Sequence, residues 1–143
     1  ALIENNNPTF GLIHVPAKKF SYYTKGDQSY SLKHNKEKKI FVSKKYNNKV
    51  ALVSNSHRTE ETDTYLKKNK INKVSKVGSS FKFCLIAEGE GDLYPRFGRT
   101  MEWDTAAGQA IVEAAGGKVE LLNGEKLTYG KKDFINPSFL CKG

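Results

Sequence analysis

Long apolar runs are missing from this 143-residue chain. No stretch approaches the roughly 20 apolar residues of a membrane-spanning helix, so no transmembrane segment is expected. Cysteine occurs only at Cys84 and Cys141, with no C-x-x-C spacing, which argues against a disulfide framework or a zinc site. Cys84 reads as a small buried hydrophobe on a helix, and a reducing compartment suits both thiols. Arginine is scarce: only Arg58, Arg96 and Arg99 among 24 basic residues. The N-terminus, ALIENNNPTF, has neither an initiator Met nor a basic lead followed by an apolar stretch. The chain is expected to begin partway through a longer protein.

What is present supports a folded unit. With 38% hydrophobic and 11% aromatic residues, residues 1–143 are expected to form a single segment with a real core. The net charge of +9 is uneven: residues 1–76 carry 15 Lys and 1 Arg against 6 acids, whereas 77–143 carry 6 Lys and 2 Arg against 9 acids. Most of the excess lies in KHNKEKK (33–39), SKKYNNK (43–49) and YLKKNK (65–70), read as loop and solvated-helix lysines. They are not set on one face interleaved with aromatics or arginines, so no specific nucleic-acid partner is expected.

Apolar alternation predicts strands at about 9–15, 20–24 and 39–43, a buried strand at 49–54 and another at 73–77. The opening ALI reads as the end of a further strand. A helix is expected over 59–69, with Thr62, Tyr65 and Leu66 facing inward. Ser79 or Ser80 would cap a second helix with Phe81, Cys84 and Leu85 on its apolar face, ending at Gly89. In DLYPRF the proline points to an edge strand or a strand end. A helix over 105–115 follows, then a hairpin with Asn123-Gly124 in a type I′ turn, then a last strand, SFLCK. Alternating strands and helices indicate an α/β fold with a mixed sheet.

Chemistry-bearing residues are few. Asp104 opens the helix of EWDTAAGQAIVEAAGG and serves there as an ordinary N-cap or, at the positive helix end beside an anion, as ligand to a hard cation. Gly108 and the neighbouring alanines would leave room for something bulky. His57 in SNSHR, Ser79 and Lys82 in GSSFK, and Arg96 in YPRF each have a plain reading as loop, helix or strand-end residues. If they converge on Asp104 they make a cationic, hydroxyl-lined pocket suited to phosphate.

WDTAAGQAIVEAAGG resembles the second signature of the inositol monophosphatase superfamily, in which the Asp after Trp is a magnesium ligand. SNSHR, GSSFKFCLIAEGEGDLYPRFGRTMEWD and LNGEKLTYGKKDFINPSFL resemble the CysQ branch, the 3′(2′),5′-bisphosphate nucleotidases, and the likeness covers nearly the whole chain. The resemblance implies an αβαβα layered sandwich, of which this chain is the C-terminal mixed-sheet half. It also implies Mg2+-dependent removal of the 3′-phosphate from adenosine 3′,5′-bisphosphate, giving AMP and phosphate. Asp104 is then catalytic, a metal ligand and in contact with substrate, while His57, Ser79, Lys82 and Arg96 hold the nucleotide. Inositol phosphatases usually carry an acid where Arg96 stands, so Arg96 favours the nucleotidase.

The superfamily's first signature, of Asp-Pro-Leu-Asp-Gly-Thr type, and the upstream Glu pair do not occur here. The N-terminal half that carries them is expected to be needed for activity, so the isolated chain is expected to be inactive and to expose apolar surface, with association or marginal stability. The implied location is cytoplasmic, with peripheral association at the inner membrane left open. Two rivals remain: an inositol or sugar-phosphate phosphatase of the same superfamily, and a non-catalytic module binding nucleotides or polyanions through the basic first half.

Overall fold

The computed structural model describes residues 1–44, 48–56 and 58–143. Two sheets with a helical layer between them make the core. In chain order, β1 (Leu2–Glu4) and β2 (Asn7–Phe10) pair as a short ribbon. β3 (Leu12–Val15), β4 (Phe20–Lys25), β5 (Gln28–Lys33) and β6 (Lys36–Ile40) form a four-stranded antiparallel sheet. Next come β7 (Val50–Val53), α1 (Glu60–Lys68), β8 (Lys73–Lys76), α2 (Phe81–Ala87), β9 (Leu93–Arg96), β10 (Thr100–Met101), α3 (Glu102–Ala114), β11 (Lys118–Leu121), β12 (Ile135–Asn136) and β13 (Phe139–Lys142). The second sheet has the order β11-β13-β9-β7-β8, parallel from β9 to β8 and antiparallel at β13.

Period-two alternation on this mixed sheet assigns its two faces. Leu52, Tyr94, Phe139 and Cys141 join Phe83 and Ile86 of α2 and Ile111 and Val112 of α3 in the main core. Ala51, Val53, Leu93 and Leu140 point the other way and pack with Leu66 of α1. From the first sheet, Ile13, Tyr22 and Ile40 close the main core on its far side. The layers run β, α, β, α. The mixed sheet and its flanking helices match expectation, and the chain adds an antiparallel sheet of its own.

Several local expectations change. The strand over 9–15 is broken at Gly11, where a Cβ would lie 2.3 Å from the carbonyl oxygen of Ala107 in α3. Only glycine passes the helix that closely, and Thr24 bonds both backbone groups of Gly11. KHNKEKK is not a loop: it ends β5, turns through His34 and Asn35 at φ 50° and 60°, and starts β6. β5 escapes the apolar pattern because its buried positions are Ser29 and Ser31. Lysines line the edges of both sheets, Lys36, Lys38 and Lys39 on β6 and Lys73 and Lys76 on β8, where charge discourages edge-to-edge pairing.

DLYPRF is a central strand, not an edge. Pro95 pairs with Leu140 of β13, while the parallel ladder to β7 is registered at Leu93, so the proline lies beyond that pairing. The hairpin after β11 closes through a single bridge, Glu120 to Lys126, and only Gly124 of the turn pair takes a positive φ, +88°. That is a type I turn with a glycine bulge, not type I′. Leu2, Phe10 and Leu12 stand about half exposed. Among the described residues, no helix is long and apolar enough to cross a membrane.

Candidate active site

Strands β8, β7 and β9 run parallel and end on the same side of the sheet. Ligands in open α/β sheets settle at that carboxyl edge, where loops and helix N-termini converge. Ser54 follows β7, Ser79 and Ser80 lie between β8 and α2, and Arg96 is the last residue of β9. An open cavity of about 500 Å³ there is lined by Ser79, Lys82, Arg96 and Asp104, four of the residues singled out from the sequence. His57, the fifth, lies outside the described residues.

Each side chain has an identifiable cause for its position. Ser79 takes φ +57°, a left-handed turn that swings the chain from β8 into α2. Neither serine caps that helix as expected; Ser80 precedes it without a side-chain cap bond. α2 lies between the two sheets, so Lys82 in its first turn is buried rather than reaching for bulk water. Its Nζ donates to the carbonyl oxygens of Val77 (3.2 Å) and Ser79 (2.8 Å) and sits 4.7 Å from the centre of the Tyr94 ring. Burial, and secondarily the neighbouring Arg96 charge, push the Lys82 ammonium down to about 8. Arg96 is also buried and donates to the carbonyl of Arg99 (2.9 Å).

α3 starts at Glu102, earlier than the pattern suggests, so Asp104 is its third residue and not its N-cap. Its Oδ2 accepts from the Met101 backbone N–H (2.8 Å), the back-reaching half of a capping box. Its Oδ1 makes no bond to the described residues, and the side chain is exposed. The helix start is fixed from below. Glu102 accepts from the backbone N–H groups of Gly130 and Lys131 at 2.9 Å each. Asn136 donates to the Met101 carbonyl (2.8 Å) and to Thr105 Oγ1 (3.0 Å). Gly108 offers no room to a ligand, because its open side is filled by Phe83 of α2.

The sequence profile of the inositol monophosphatase family matches residues 1–141. The chain belongs to that family. The 3′(2′),5′-bisphosphate nucleotidase CysQ of Buchnera aphidicola (subsp. Acyrthosiphon pisum) is 44% identical over 147 residues, covering 97% of this chain and 54% of that protein. That of Salmonella typhimurium is 39% identical over 140 residues, covering 97% and 56%. The crystal structure of CysQ from Bacteroides thetaiotaomicron, a bacterial member of the family, superposes with a TM-score of 0.89 at 38% identity, covering 100% of this chain and 60% of the other. The chain thus spans little more than half the length of the curated relatives it matches.

Within this family member, the cavity carries three cations, Lys82, Arg96 and Arg99, against the single carboxylate of Asp104. That balance favours an anion. Ser54, Arg99 and Trp103 also line it and were not assigned from the sequence, although Ser54 lies in SNSHR and Trp103 directly precedes Asp104. A second open groove of about 690 Å³ continues past Arg96 and Asp104 to Arg58, which is ion-paired with Asp63 (2.5 Å). A further cavity of about 780 Å³ lies around Asp92 at the opposite, amino end of the parallel strands and contains none of the residues singled out.

Asp104 offers one unengaged carboxylate oxygen to a metal. Among the described residues, no group of three or more His, Cys, Asp and Glu side chains is placed to hold one. Magnesium wants near-octahedral oxygens, so these residues alone do not form its site.

Proposed function

We propose that these 143 residues supply the substrate-side half of a magnesium-dependent 3′(2′),5′-bisphosphate nucleotidase that converts adenosine 3′,5′-bisphosphate to AMP and phosphate. The observation that carries the reading is the meeting of Lys82, Arg96 and Asp104 in one cavity, in a chain whose 39–44% identical relatives bear that activity in their names. A bisphosphate presents two anions, and the cavity offers a point charge in Lys82 and a planar fork in Arg96 to hold one of them. Ser79 adds a hydroxyl and His57 a further contact to the nucleotide. Asp104 Oδ1 gives one metal ligand, the others coming from outside this chain. A bound divalent cation would lower the pKa of an attacking water and neutralise phosphoryl charge. Arg96 favours a nucleotide over inositol phosphate, because a guanidinium suits a second phosphate better than a sugar hydroxyl.

The test compares the full-length protein with the 143-residue chain. Full-length protein with Mg2+ is expected to release phosphate from adenosine 3′,5′-bisphosphate in preference to inositol 1-phosphate, and the short chain to release none. Preference for inositol phosphate overturns the nucleotidase reading. Release by the short chain overturns the need for a further half.

A further inference from the structure

Tyr94 is buried, only 5% exposed, yet it lines the cavity at the ends of the parallel strands, and its hydroxyl bonds to no described residue. Buried tyrosines usually find a partner for that O–H, so an open one calls for a cause. The 143 residues supply the burial themselves, and no surface needs to be free for it. The ring meets Phe83 of α2 edge-on at 5.3 Å and Phe139 of β13 edge-on at 5.6 Å. The Lys82 ammonium covers the ring from 4.7 Å while donating to the Val77 and Ser79 carbonyls. Three neighbours thus fix the ring, and the hydroxyl is left with the cavity. Tyr94 and Arg96 stand two residues apart on β9, so both side chains leave the same face of the sheet. Burial pushes the phenol well above its ordinary value, with the Arg96 charge pulling the other way. It therefore stays a donor at neutral pH.

We infer that the Tyr94 hydroxyl is a third donor to the phosphate held by Lys82 and Arg96, an anion-binding residue that neither the sequence nor the family likeness singled out. The inference rests on the anion site of the proposed function and on no feature of the nucleotide. Lys82 brings a point charge, Arg96 a planar fork, and the phenol a short charge-assisted O–H···O bond of fixed direction. Both cations already use donors within the protein, Lys82 two on the Val77 and Ser79 carbonyls and Arg96 one on the Arg99 carbonyl. A phosphate has several oxygens to satisfy. Among the described residues, the phenol has nothing else to donate to.

Tyr94→Phe removes the hydroxyl and keeps the ring, its two edge-on contacts and its place under Lys82. Calorimetry on the metal-free full-length protein is expected to show inorganic phosphate and AMP weakened alike, by about tenfold, as a hydrogen bond to a charged group is lost. The thermal midpoint should stay within about 2 °C of wild type, because no protein group loses a partner. Unchanged phosphate affinity overturns the inference. So does a midpoint lowered beyond that margin, since the hydroxyl would then be held by protein, residues outside these 143 included, and not by the ligand. Weakening of AMP alone would put the hydroxyl on the nucleoside and overturn the anion contact. Wild-type protein that binds no phosphate removes the anion site and the inference with it. The substrate panel that decides the nucleotidase reading does not enter this test, so the two can fail separately.

Discussion

Replacing Gly108 by alanine tests the packing that sets the two site-bearing helices against each other. A Cβ at that position would lie 2.4 Å from Cγ and Cδ2 of Phe83 and 2.7 Å from its Cβ. Those atoms are the root of the side chain, which cannot swing aside. The Phe83 ring stacks on Phe139 at 6.0 Å and meets Tyr94 edge-on at 5.3 Å, so the clash is relieved only by moving α2 or α3. Overpacking a dense interior costs about 1–3 kcal/mol, and contacts this short place Gly108→Ala near the upper end. Alanine returns about 1 kcal/mol over glycine inside a helix. The net loss is about 2 kcal/mol, which lowers the thermal midpoint of a chain this size by about 4–8 °C. Thermal unfolding followed by far-ultraviolet circular dichroism measures it. Because Lys82 adjoins Phe83 on α2, phosphate binding should weaken in the same variant. A midpoint at or above that of the wild type would refute the reasoning, since helix propensity would then outweigh the contact.

Asp104→Asn keeps an acceptor for the Met101 N–H and should leave stability within about 0.5 kcal/mol, whereas Asp104→Ala should cost about 1 kcal/mol. Both should abolish phosphate release by the full-length protein, and an active Asp104→Asn enzyme would return Asp104 to the role of a helix brace. For Glu102, burial pushes the carboxyl up, but hydrogen bonds from the Lys131 side chain and from the Lys131 and Gly130 backbones outweigh it and hold it below its ordinary 4.5. Its stabilisation is therefore full above pH 4.5 and lost as pH falls through the lower folded value. Glu102→Gln should cost about 2 kcal/mol at pH 7 in urea unfolding and show less acid loss; a variant equal to wild type at pH 7 contradicts this. Lys82 titrates near 8 when folded against 10.5 when unfolded. The penalty of burying its charge is thus full below pH 8 and fades as pH rises to 10.5, so the contribution of this one residue to stability climbs across that window while phosphate affinity falls. Burial raises the thiols of Cys84 and Cys141 and the phenols of Tyr22, Tyr94 and Tyr129, which costs stability as pH climbs past 9 and 10. The Lys82 contribution is therefore read as the urea-midpoint difference between wild type and Lys82→Met from pH 7 to 9. Wild type should gain on the variant while its phosphate affinity, followed by calorimetry, falls, and an affinity that does not fall would show that Lys82 does not carry the anion.

The local patterns were legible where they rest on periodicity and caps. α1 begins at Glu60 behind Thr59, whose hydroxyl accepts from Thr62 N–H, and Thr62 and Leu66 face inward as their spacing demands. They were illegible where a neighbour overrides local preference. Ser29 and Ser31 occupy a buried sheet face because α3 supplies a partner, the Ile111 carbonyl, for the Ser29 hydroxyl. Pro95 reads as an edge-strand or strand-end residue, and strand order decides for the second: β9 is central, and Pro95 lies near its end, beyond the ladder to β7. Gly108 reads as open space, but another helix fills it.

The sequence by itself determined the family, the alternation of strands and helices, and the chemistry available at Ser79, Lys82, Arg96 and Asp104, because these depend on residue type and on spacing within one element. Only the tertiary structure decided that those four side chains share a cavity and that Trp103 stands exposed at its rim. Their convergence comes from three parallel strands ending together and from two helices packed through Gly108, and no single segment encodes that arrangement.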